Sequence, residues 1–134
     1  MSDHDNLSSV KPRFSVRARL RSFLYAGRGL RWLAQDEHNA CVHLVASAAV
    51  IIAGIALKIS LEDWRWLVIA VALVWIAEAI NTAVEELCDR GSTEFDPSIG
   101  RVKDIAAGGV LAASNAAATI GLLTLGPPLF RWIE

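Results

Sequence analysis

Hydrophobic and polar positions follow three different patterns along the chain. The opening stretch, MSDHDNLSSVKP (1–12), is polar without periodicity and is expected to be a disordered tail. In 14–36, apolar Val16, Leu20, Phe23, Leu24, Leu30 and Leu33 recur at helical spacing. Arg13, Arg17, Arg21, Arg28 and Arg31 fill the other side. Such a basic amphipathic helix suits a headgroup layer, its apolar face in acyl chains and its arginines at lipid phosphates. From residue 41 the alternation stops. Three nearly continuous apolar runs follow at 41–59, 64–87 and 104–125, each about the twenty residues that a bilayer core requires. The turn SLED joins the first two, with Trp64 and Trp66 placed as interfacial anchors. The loop DRGSTEFDPSIGRVK joins the second and third, and Pro127 and Pro128 are expected to end the last helix. The pattern predicts an all-α membrane protein: an amino-terminal amphipathic surface helix plus three transmembrane helices, one domain over 13–134.

Composition strengthens this picture. With 134 residues and 54% hydrophobic side chains, a soluble core could not hide the apolar surface, so lipid is the expected solvent. The first apolar run lies behind a long basic segment and is too long for a secretory leader, so it reads as an uncleaved span. A net charge of −1 hides an asymmetry: Lys and Arg crowd the first 31 residues, while acids dominate 78–96. Counting Lys and Arg in the short loops puts the amino terminus and the 88–103 loop in the cytoplasm. Only Lys58, Arg65 and Arg131 are left outside, with the carboxyl terminus. A bacterial inner membrane is the expected location, and no nucleic-acid partner is expected. Cys41 and Cys88 form no disulfide framework and read as small buried hydrophobes. The third run is poor in large side chains, from Ala106 and Gly108 to Ala117, which lets helix backbones approach closely. Asn115 within it is expected to hydrogen-bond between helices. Three such spans bury little alone, so a homo-oligomer is expected.

Candidate chemistry lies in WIAEAINTAVEELCDRG (75–91). Glu78, Asn81, Glu85 and Asp89 are spaced three, four and four apart, which puts them within a sector of roughly 80° on one helix face. At about 1.5 Å per residue from Trp64, Glu78 lies roughly 21 Å in, still within a hydrocarbon layer of about 30 Å. Charge there costs about 2.5–3.5 kcal/mol at mid-helix and less toward the edge, so an acid at that depth signals function. Glu37 precedes the first span, and Lys103 and Asp104 precede the third. Three helix ends thus deliver Glu37, Glu85, Asp89, Lys103 and Asp104 to one cytoplasmic level, with Glu78 deeper. Hard carboxylate oxygens suit Mg²⁺, Lys103 suits a phosphate, and a carboxylate in a partly apolar site suits a general base. Those are the parts of phosphoryl transfer. No G-x-x-x-x-G-K-[ST] loop is present, so any nucleotide must be held by carboxylates, metal and basic residues. His38 and His43 have no third partner that would make a transition-metal site.

The run E-x-x-N-[ST]-A-[IV]-E-x-x-x-D, here Glu78 to Asp89, followed fourteen residues later by Lys103-Asp104, resembles the prokaryotic diacylglycerol kinase family, which includes undecaprenol kinases. SFLYAGRGL (22–30) and EHNACVH (37–43) agree with it, and the likeness covers about 15–126. The resemblance implies an integral membrane homotrimer with active sites between neighbouring subunits at the cytoplasmic surface. It implies ATP as phosphate donor and diacylglycerol or undecaprenol as acceptor. Glu78 would take the proton from the lipid hydroxyl, with Asn81 orienting groups beside it. Glu37 and Glu85 would hold Mg²⁺ against the ATP phosphates. Asp89, Lys103 and Asp104 would serve the nucleotide, and Arg17 or Arg21 would contact phosphate. Two other classes fit parts of the pattern. A proton-coupled transporter using Glu78 wants ionisable groups reachable from both sides, and a non-catalytic membrane subunit would use its acids only for assembly.

Overall fold

In the computed structural model, residues 15–36, 38–91 and 96–134 are described, apart from the side chains of Asp36 and His38. The 1–12 tail and Glu37 lie outside them. Four helices follow in order: α1 (Val16–Asp36), α2 (His38–Ala56), α3 (Leu61–Gly91) and α4 (Pro97–Ile133). The last three are long and apolar enough to cross a membrane.

Local chemistry explains where these helices start and stop. Ser15 opens α1, its hydroxyl accepting the Ala18 amide at 3.4 Å. At the end of α2 the chain reverses through paired bonds, Ile59 N to Gly54 O and Lys58 N to Ile55 O, both 3.2 Å. That pairing needs a left-handed residue, and Lys58 supplies it with φ of 50°. Ser60 and Asp63 then cap α3 reciprocally: the Asp63 amide donates to Ser60 Oγ at 3.1 Å, and the Ser60 amide to Asp63 Oδ2 at 3.2 Å. Asp96 caps α4 by accepting the Ser98 amide at 2.7 Å, and Pro97 fills the first helical position, where no amide is needed.

Gly54 locks this turn to α3. A Cβ there would stand 2.8 Å from Trp64 Cη2 and 2.9 Å from Cζ2. Gly54→Val is therefore expected to displace the indole and to destabilise the protein by about 1–3 kcal/mol, the usual cost of overpacking. A lowered thermal midpoint in detergent, with altered tryptophan emission, is the check. An unchanged midpoint would show that the indole moves freely.

α3 is the centre of the subunit. α4 packs along one side of it and α2 along another, while α2 and α4 scarcely meet. On α4 the small Ala113 is buried, only 7% exposed, while Gly109, Ala112 and Ala116 are exposed and line a shallow groove with Ala77 of α3. Between α2 and α4 an apolar groove of about 560 Å³ runs from His43 to Leu129. Most of α1 is exposed, and it is anchored near its end by Leu33, only 5% exposed. Large exposed apolar side chains such as Ile52, Val68, Ile105 and Leu122 would be untenable in water and are ordinary against lipid or another chain.

Three expectations need correction. α4 continues through Pro127 and Pro128 to Ile133 rather than ending there. Each proline removes only its own amide bond, and helices in lipid tolerate this because no water competes for the backbone. Cys41 is exposed and Cys88 half-buried, and both are free, so neither is a buried hydrophobe. The Asn115 side chain has no hydrogen-bond partner among the described residues and is exposed; only its carbonyl accepts, from Thr119 Oγ1 at 2.9 Å.

Candidate active site

The buried stripe of α3 runs Leu67, Ala70, Val74, Glu78, Asn81. Its spacing of three, four, four and three is that of a helix face turned toward neighbouring helices. The stripe is apolar for its first three members and becomes polar at Glu78. Glu78 is 1% exposed and Asn81 5%, so both face protein rather than lipid. Two further steps of four lead to Glu85, half-buried, and Asp89, exposed. A single helix face thus passes from packing core to buried acid to solvated acid.

Polar contacts tie this face to α2 and α4. The Asn81 amide donates from Nδ2 to Glu85 Oε1 at 3.1 Å. From α4, Lys103 donates to Asp89 Oδ1 at 2.8 Å. Solvent screens a pair of this kind and it adds little stability, so its consequence is placement: it holds a cation beside the acidic face. From α2, His43 Nε2 lies 3.7 Å from Glu78 Oε2, with the two side chains 17% and 2% exposed. Trp75 Nε1 donates to Ser47 Oγ at 3.1 Å, and Ser47 Oγ donates to the His43 carbonyl at 2.7 Å, which fastens that turn of α2 to α3.

The sequence-predicted residues are only partly assembled in one chain. Glu78, Asn81, Glu85 and Asp89 line one face of α3, with Asn81 bonded to Glu85 and Lys103 of α4 bonded to Asp89. Asp104 follows Lys103 and is exposed. Arg17 and Arg21 are exposed on α1 and make no ion pair among the described residues. Glu86 turns aside, as its spacing predicts, and pairs with Arg90 at 3.3 Å. His43, considered from the sequence only as a metal ligand and set aside, stands against the deepest acid.

Among the described residues no three His, Cys, Asp or Glu side chains converge on a metal position. The donor set is nevertheless one of hard oxygens. Asn81 Oδ1 is buried with no hydrogen-bond partner among the described residues, one residue from Thr82 Oγ1 in the same condition. A bare amide oxygen beside the Glu85 carboxylate fits a cation that takes one or two protein oxygens and fills its other positions with phosphate and water.

The sequence profile described as prokaryotic diacylglycerol kinase matches residues 24–125. The undecaprenol kinase of Bacillus subtilis is 33% identical over 109 residues, covering 81% of this chain and 89% of that protein. The diacylglycerol kinase of Synechocystis is 34% identical over 111 residues, covering 82% of this chain and 63% of that protein.

Proposed function

The chain belongs to the prokaryotic diacylglycerol kinase family and is a membrane lipid kinase, and from that premise we propose that it transfers the γ-phosphate of ATP to the hydroxyl of diacylglycerol or undecaprenol. The observation that carries the reading is the polar face of α3, a buried acid at Glu78 followed by Asn81, Glu85 and Asp89, with Lys103 of α4 fixed at its solvated end.

Each residue has a task set by its depth. Glu78 accepts the proton of the lipid hydroxyl, because an acid inside the apolar layer can meet an alcohol that never leaves it. Asn81, joined to Glu85, orients the groups beside that acid. Lys103 neutralises phosphate charge, while Asp89 and Asp104 serve the nucleotide, with Arg17 or Arg21 adding a phosphate contact. Glu37 and Glu85 would hold Mg²⁺, which when bound would offset the negative charge of the phosphates. Catalysis is then mostly positioning and charge compensation.

The active form in this reading is a homotrimer in a bacterial inner membrane, with its amino terminus and nucleotide site in the cytoplasm. Support comes from the exposed apolar faces of α2 and α4 and from the bias of Lys and Arg toward one side. One assay tests the function: purified protein, labelled ATP, and diacylglycerol or undecaprenol offered separately. Label in either lipid fraction, dependent on Mg²⁺, is the expected result and identifies the acceptor. Hydrolysis without lipid labelling, or no turnover with both lipids, would overturn it.

A further inference from the structure

We infer that His43 is a positioning residue for Glu78, its imidazole Nε2 fixing the direction of the carboxylate at the head of the groove between α2 and α4; this rests on the reading of Glu78 as the base. His43 occupies two environments at once. It lines a largely apolar groove whose other walls include Ala46, Val50, Leu67 and Val74. Its Nε2 also lies 3.7 Å from Glu78 Oε2, inside ion-pair range, with both side chains largely withdrawn from solvent.

The backbone beneath that ring is held more firmly than packing alone would hold it. Ser47 Oγ donates to the His43 carbonyl at 2.7 Å, and the Trp75 indole donates to Ser47 Oγ at 3.1 Å. Trp75 lies one helical turn before Glu78 on α3. The clasp therefore fixes the α2 turn bearing His43 relative to the α3 turn bearing the acid. A carboxylate can turn about its last side-chain bond, and a polar group on a fixed frame beside one of its oxygens favours one orientation. At 3.7 Å the ring nitrogen stands just beyond hydrogen-bond reach of Glu78 Oε2. A small side-chain shift brings an N–H of His43 onto it from a different helix, so the effect depends on the α2–α3 register. Asn81, by contrast, donates along its own helix to Glu85.

The nitrogen involved makes the inference specific. A glutamine amide reaches about as far as Nε2 and donates an N–H. An asparagine amide reaches only as far as Nδ1, and leucine keeps bulk without a donor. With the acceptor lipid and ATP, His43→Leu is expected to lower kcat by about 10²-fold, the scale of a misplaced reacting group, with the KM for ATP unchanged. His43→Gln is expected to recover most of that loss, and His43→Asn little of it. In a Glu78→Gln background, His43→Leu is expected to add nothing, because the group it positions is gone. If His43→Leu does not fold, the contrast between Gln and Asn decides the matter. A wild-type kcat in His43→Leu, equal impairment of the Gln and Asn variants, or an additive loss in the double variant would each overturn the inference. Near-normal turnover in Glu78→Gln alone would instead remove the reading on which it rests.

Discussion

Glu78→Gln is expected to keep the fold and nucleotide binding and to lose lipid phosphorylation, with kcat down by about 10²–10⁴-fold, the usual worth of a positioned base. Glutamine is nearly isosteric, so a side chain only 1% exposed leaves no cavity when it is exchanged. The exchange also removes a charge from a low-dielectric site, so stability is expected to hold or rise. That combination separates a catalytic acid from a structural one. If Glu78 existed to fasten α2 to α3, an amide could still meet His43, and activity would survive. The checks are lipid-kinase turnover, ATP binding by equilibrium dialysis, and oligomer size in detergent, all on one preparation. Turnover near the wild-type value would take the base role from Glu78.

The main architecture was legible because membrane helices declare themselves by length and composition. The deeper reading came from spacing: Glu78, Asn81, Glu85 and Asp89 share a face whatever surrounds the helix. What spacing could not reveal is that Leu67, Ala70 and Val74 continue the same stripe as core, so that Glu78 and Asn81 point into protein. The Lys103–Asp89 pair joins residues fourteen apart across a loop, and the common level of their helix ends foreshadowed it. His43 was missed for a physical reason. Its signal is weak, a histidine and Ser47 one turn apart in an apolar helix, and its meaning depends on which turn of α3 packs there. Pro127 and Pro128 misled because the rule against proline in helices is calibrated on helices in water. At α1 the spacing predicts a helix with a basic side, and the structure has the helix, with Arg17 and Arg21 exposed on it.

Glu85→Gln is expected to raise the Mg²⁺ concentration needed for half-maximal activity by at least about tenfold, a typical consequence of disturbing a metal's surroundings. The substitution is selective. Glutamine retains Oε1 as an acceptor, so the 3.1 Å bond from Asn81 Nδ2 persists and the rung between the two residues stays in place. Only the charge is lost, and with it the attraction to a hard divalent ion; the bare Asn81 oxygen beside it cannot compensate, being neutral. At fixed ATP, raising Mg²⁺ should therefore restore most of the turnover of Glu85→Gln and none of that of Glu78→Gln. Direct binding of Mn²⁺ in the presence of nucleotide, followed by paramagnetic resonance, reads the same affinity without relying on turnover. In the proposed reading the contrast follows from depth: the half-buried acid would meet a metal nucleotide arriving from water, while the buried one would meet an alcohol delivered through lipid. A Mg²⁺ titration that superimposes on the wild type would remove Glu85 from the metal and leave the role of Glu78 to stand or fall on its own variant.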